Sequence, residues 1–219
     1  MRKILLFGAT GRTGGLVINY ALEKGYSVVA LVRSPDKIKV QSPQLTVIKG
    51  SPTDANDVRL AMKGCDAVIS ALSALSEKES FSFKKIEPPH VLETTIRNAI
   101  DSMKANHVRR IITLSSIGAG NSFNLAPWYM RLIIRITNFK IVFADHTRQE
   151  TLLQQSDLDW TIARPVALTN GTELKKLVVS YHKTPSPFHI SRSLLAKFLV
   201  DCIDDASLIG KTPILSEHA

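Results

Sequence analysis

Six short apolar runs, each parted from the next by a longer stretch, mostly helical in character, constrain this chain more than any other feature. They are KILLF (3–7), SVVALV (27–32), LTVIKG (45–50), DAVISAL (66–72), RRIITLSS (109–116) and DWTIARP (159–165). Helical stretches run from Thr13 to Glu23 with a stop at Gly25, from Asp54 to Met62, from about His90 to Ala105, and from about Phe143 to Gln155. Runs with little polar alternation need cover on both faces, and interleaved helices provide it. The order predicts an α/β chain: a doubly wound parallel sheet in three α/β/α layers.

After Pro165 the rhythm changes. LKKLVVSYH (174–182) alternates like an exposed strand, and Ser191 is placed to cap a helix carrying Leu194, Leu195, Phe198, Leu199, Cys202 and Ile203 on one face. KTPILSE reads as a last strand. These pieces form a small C-terminal strand-helix extension, and no linker or repeat divides residues 1–219, so a single domain is expected. The loop from Ser73 to Pro89 is long for a compact fold and reads as a substrate flap or as a surface excursion. The apolar helix near Pro127 to Phe139 reads as core by default, with a substrate wall or an interface as alternatives.

The first run ends in GATGRTGG, with glycines at Gly8, Gly11 and Gly14. Such a turn between a strand and a helix is the context in which this spacing carries chemistry. The first glycine permits a tight turn, the second lets backbone approach a pyrophosphate, and the third lets helix pack on strand. The helix N-terminus then offers N–H groups and partial positive charge to the phosphates. This is the dinucleotide-binding Rossmann arrangement. The second run ends in ALVRSPDK. An NAD site usually has Asp or Glu there for the ribose hydroxyls; Arg33 stands there instead, suited to a 2′-phosphate, with Arg12 and Lys37 as further charge. The expected cofactor is NADP(H).

Composition narrows the setting. The net charge of +9 attracts anions, but the basic residues are scattered without interleaved aromatics, so no nucleic-acid partner is expected. No apolar run approaches the roughly 20 residues that cross a bilayer, and Ile4 to Phe7 is too short for a signal peptide. No membrane partner is expected. Cys65 and Cys202 fit two buried free thiols in a reducing compartment better than one disulfide, and neither they nor the six histidines show metal-ligand spacing. A cytoplasmic protein without a metal is expected.

Taken in order, GATGRTG, LVRSPDK, CDAVISALS, RRIITLSSIGAG and LLQQSDLDWTIARP resemble the atypical short-chain dehydrogenase/reductase family with NAD(P)H-binding (NmrA-like) domains, and within it the biliverdin IXβ reductase/flavin reductase group. The resemblance implies that Gly8, Thr10, Gly11, Arg12, Thr13 and Gly14 hold the pyrophosphate and nearby groups. It implies that Arg33 and Lys37 receive the 2′-phosphate. Ala71, Leu72 and Ser73 would line the inner ribose side, Ser115 and Ser116 would lie beside the nicotinamide, and Pro165 and Val166 would close over it. The family's Asp near the adenine is replaced here by Ser51 after Gly50.

Typical short-chain dehydrogenases carry Tyr-x-x-x-Lys one helix after the serine, the lysine lowering the tyrosine's pKa. The resemblance puts Val142 and His146 at those places, which argues against alcohol dehydrogenation. Flavin and biliverdin reductases share the lack and carry Asp-His there, as Asp145-His146 does here. The expected activity is transfer of hydride from NADPH to a flavin-like, tetrapyrrole or other small conjugated acceptor. Ser116 is the expected hydrogen-bonding hydroxyl, with Ser115 as an alternative, and His146 the expected proton donor through its near-neutral pKa. The runner-up is an NADP(H)-binding redox sensor or regulator with little turnover. Members of this group are often monomers, so a monomer or weak homo-oligomer is expected.

Overall fold

The computed structural model describes residues 1–218 apart from 76, 85 and 88. Ten strands are described: β1 (Lys3–Phe7), β2 (Ser27–Val32), β3 (Leu45–Lys49), β4 (Ala67–Ser70), β5 (Arg110–Leu114), β6 (Asp159–Pro165), β7 (Ala167–Thr169), β8 (Leu177–Ser180), β9 (His189–Ser191) and β10 (Ile214–Glu217). The helices are α1 (Arg12–Glu23), α2 (Ala55–Met62), the single turn α3 (Glu77–Ser80), α4 (Val91–Ala105), α5 (Trp128–Ile136), α6 (Phe139–Gln154) and α7 (Arg192–Asp201).

Eight strands form one sheet in the order β3-β2-β1-β4-β5-β6-β10-β8. Every pairing from β3 to β10 is parallel, and β8 closes the edge antiparallel to β10, Ile214 facing Ser180. The β7 and β9 strands form a separate parallel pair. This is the expected Rossmann-like α/β fold with antiparallel pairing at its C-terminal edge.

Strand pleating assigns the residues of β1 to two cores. Ile4 and Leu6 join the core under α1 and α7, while Leu5 and Phe7 join the one under α2, α4 and α6. Both sets are fully buried, which is why the run shows no polar alternation. A third, smaller cluster of Ala119, Ile134, Val142 and Phe143 ties α5 and α6 to the loop after β5.

Several elements are shorter than their runs. The fifth ends at Leu114 rather than Ser116, and the fourth at Ser70 rather than Leu72, so those residues pass to the loops above the sheet. The segment after β4, read as a flap or an excursion, is docked in its described part. Ser80 is buried, Phe81 meets Phe139 edge to face at 4.8 Å, and Asn138 donates to the carbonyls of Ser82, Glu79 and Lys84. Cys65 and Cys202 are buried free thiols, and burial pushes them up to about 11 and about 12. Among the described residues no helix is long and apolar enough to cross a membrane.

Candidate active site

Chain order reverses between β1 and β4, and the crevice above their carboxyl ends is where open α/β sheets bind ligands. The glycine turn sits there. Gly8 has φ +82°, and a Cβ on it would stand 2.6 Å from the Ala71 carbonyl oxygen. A Cβ on Gly14 would stand 2.0 Å from the Gly8 carbonyl oxygen. The Gly11 N–H donates to that same oxygen at 2.9 Å, closing the turn. No side chain can occupy the first or third position without moving backbone.

Gly11 is also the N-cap of α1 and supplies no side-chain cap, and the first turn holds no acid. A 12-residue helix therefore presents its positive end to the crevice. Thr10, Gly11 and Arg12 are exposed, whereas Thr13 and Gly14 are buried against the strand. Arg33 follows β2 directly, and Lys37 ends the short turn Pro35–Lys37; both are exposed. Among the described residues the Arg33 guanidinium has no acidic partner. A cradle closed to side chains, an uncapped helix end and a cation past β2 fit the pyrophosphate and adenosine end of a dinucleotide.

These features sit inside a longer likeness. Residues 8–206 match the family described as NAD(P)H-binding. The chain belongs to that family. A relative, an uncharacterized chloroplastic protein of Arabidopsis thaliana, is 27% identical over 210 residues, 92% of this chain and 72% of the relative. Among solved structures, the anaerobillin reductase ChuY of Escherichia coli O157:H7 superposes with a TM-score of 0.79 at 23% identity, over 98% of this chain and 97% of that one. A short-chain dehydrogenase/reductase of Veillonella parvula in complex with NADP gives a TM-score of 0.77 at 17% identity, over 99% and 94%. At these identities the two structures establish a shared fold.

In this chain the turn after β3 carries an acid that does not stand at position 51. Ser51 donates its backbone N–H to Asp57 Oδ2 at 2.8 Å, and its hydroxyl meets Thr53 Oγ1 at 2.8 Å. Asp57 lies on α2, whose first turn is capped by Asp54. A carboxylate thus reaches the turn after β3 from six residues downstream rather than from position 51 itself. Only the spacing to a helix start encodes it.

Past β4, Ala71 and Leu72 are half-buried, Ser73 is exposed, and the Ala71 N–H donates to Phe7 O at 3.0 Å. Ser115 and Ser116 part ways. The Ser115 hydroxyl is buried and donates to Glu150 Oε1 at 2.6 Å, so its proton is committed. Glu150 also receives Arg164 through Nε at 3.1 Å and Nη2 at 2.6 Å, and Arg164 Nη1 donates to Asn121 Oδ1 at 2.7 Å. Both ions are at least 97% buried along their side chains, a pairing that holds because it is bidentate and further hydrogen-bonded. Ser116 is half-buried, and its hydroxyl makes one long bond, to Ile117 O at 3.3 Å. Pro165 ends β6 and accepts the Ile117 N–H at 3.1 Å, and the buried Val166 follows it.

His146 departs from its expected state. It is buried on α6, and desolvation lowers its pKa from 6.5 to about 4, because an imidazolium there would lose its hydration. Gln149 Nε2 donates to His146 Nδ1 at 2.8 Å and to Leu114 O at 2.9 Å, which assigns the imidazole proton to Nε2. The ring is neutral at pH 7 and carries no excess proton to give, contrary to the near-neutral donor expected. Its neighbour Asp145 is likewise buried, and its two oxygens accept the N–H groups of Leu92 and Glu93, capping α4. Val142, at the other dyad position, is buried in the small apolar cluster with Phe143 and Ile134.

Proposed function

We propose that this protein is an NADPH-dependent reductase that passes hydride to a small conjugated acceptor, flavin-like or tetrapyrrole, without an enzymic proton donor of the tyrosine–lysine kind. The observation that carries this reading is the pairing of a phosphate cradle with a dyad position that has no acid: Val142 is packed in apolar side chains and His146 is neutral. A bound reduced nicotinamide supplies a hydride. An acceptor that delocalises the incoming charge takes its proton from solvent, and the protein's share is to bind, orient and exclude water.

In this reading the Gly8–Gly14 turn and the N-terminus of α1, with Thr10, Arg12 and Thr13, hold the pyrophosphate. Arg33 and Lys37 take the 2′-phosphate, which selects NADP over NAD. Ser51 and Asp57 line the adenine side, Ala71, Leu72 and Ser73 the ribose side. Ser115, Pro165 and Val166 flank the nicotinamide, with Ser115 held in place by Glu150. Ser116 is the hydroxyl free to donate to the acceptor or to the carboxamide, because its present bond is long and weak.

The test mixes the protein with NADPH and a panel of flavins, tetrapyrroles, anaerobillin and quinones, and follows the loss of NADPH absorbance. Turnover with at least one acceptor is the expected result. Tight NADPH binding with no consumption across the panel overturns it; a marked difference in affinity between NADP⁺ and NADPH would then favour the sensor.

A further inference from the structure

Helix α5 leaves part of its apolar surface in solvent. Trp128 is 71% exposed, and Tyr129, Leu132 and Ile136 are exposed as well, while Ile134 on the opposite side is buried. At roughly 100° per residue, Trp128, Leu132, Ile136 and Tyr129 share one arc about 100° wide, and Arg135 and Arg131 run along one side of it. Arg135 lies over the Phe123 ring at 5.3 Å.

The neighbouring segment extends the patch. Asn138, at the corner between α5 and α6, fastens residues 79–84 there, with its N–H on Ser82 O at 3.1 Å and its side-chain amide on Lys84 O at 2.9 Å. This brings up Phe81, the 76% exposed Phe83, and Lys84. Lys140 is exposed on the other side of the corner. Residues 125–144 contain Arg131, Arg135 and Lys140 and no acid, and the fastened segment 79–84 adds one cation, Lys84, and one exposed acid, Glu79, so the face carries four cations against one acid.

We propose that this face docks the protein on an anionic lipid surface, with α5 lying in the plane of the interface. Tryptophan, tyrosine, leucine and isoleucine on one arc, phenylalanines in the adjoining segment, and arginine and lysine beside them are the composition of an interfacial surface, the rings entering the headgroup region and the cations meeting lipid phosphates. The net charge of +9 adds long-range attraction of the same sign. A second copy fits less well. A two-fold interface sets the patch against itself, and the cations at 84, 131, 135 and 140 would face their own counterparts. Docking of this kind needs no spanning helix, so it departs from the expected absence of a membrane partner without contradicting the lack of a long apolar run.

The experiment is flotation with vesicles of equimolar phosphatidylglycerol and phosphatidylcholine, beside vesicles of phosphatidylcholine alone. Trp128 emission is followed in a Trp160→Phe background. Co-flotation with the anionic vesicles, a blue shift of Trp128, and loss of both in high salt are expected. Leu132→Asp with Ile136→Asp abolishes binding, while the unfolding midpoint holds because both side chains face solvent. Arg131→Gln with Arg135→Gln weakens it about tenfold or more. No binding to the anionic vesicles overturns the proposal, as does equal binding to both vesicle types. So does a dimer in sedimentation equilibrium that Leu132→Asp dissociates, since a second copy then covers the face.

Discussion

The two ends of the crevice are built by different means. The end at β1 and α1 is shaped by the absence of side chains: Gly8 and Gly14 bring backbone to within a distance that no Cβ survives. The end at β5, β6 and α6 is shaped by side chains that hold one another, Ser115, Glu150, Arg164 and Asn121 in one chain of bonds, Gln149 and His146 in another. The difference teaches where adaptability lies. A cradle made of backbone accepts one kind of ligand and tolerates little change, whereas side chains at the other end can be exchanged in groups while the sheet stays as it is.

The sharpest way to break that comparison is Glu150→Ala. It strands Arg164 in the interior without a counter-charge, and a loss of about 3 to 5 kcal/mol is expected in denaturant unfolding. An unchanged midpoint would mean the network is ornamental to the fold. Gly14→Ala probes the other end. Its new methyl must displace the Gly8 carbonyl, so a loss of about 2 to 3 kcal/mol and the disappearance of NADPH binding in calorimetry are expected together. Arg33→Asp leaves the fold alone and separates the cofactors: NADPH affinity drops about a hundredfold, and NADH affinity changes by less than about threefold. A parallel loss of both refutes the role of Arg33.

His146 gives a pH signature. Its folded pKa, about 4, lies below the unfolded 6.5, so the unfolded chain binds the proton more readily. Its share of stability is whole above the unfolded value and is lost as pH falls toward the folded one, at up to about 1.4 kcal/mol per pH unit. His146→Phe should flatten that limb of the curve, and turnover should show no ionisation near 6.5 attributable to this ring. The smallest effect belongs to Ser115→Ala, which removes one of several donors to Glu150 and lowers stability by about 1 kcal/mol.

Much of the first region was legible in the sequence. A short apolar run, three glycines at fixed steps and an arginine at the end of the next run are local signals, and local signals survive without a fold. The sheet was legible for the same reason, since its first six strands lay inside the apolar runs and the stretches 174–182 and 211–217 hold β8 and β10, whereas the short pair of β7 and β9 carried no such signal. The second region was not. Glu150 sits 35 residues from Ser115 and 14 from Arg164, on a helix whose periodicity gives no reason to bury an acid. Arg164 lies inside an apolar strand, and a charge there was the one sign that a counter-charge had to be near. His146 misled because its type suggests titration near neutrality, while its burial, which only packing reveals, removes it. Asp57 was hidden by distance along the chain, standing six residues from the turn where an acid was sought.

Val142 carries a consequence for redesign. It lies with Ala119, Ile134 and Phe143 in an apolar cluster against the loop after β5. Grafting a tyrosine at 142 and a lysine at 146 takes more than two substitutions: the phenol would have to push α5 aside, and the ammonium would replace a buried ring held by Gln149. Installing such a pair in this corner therefore means repacking several helices at once.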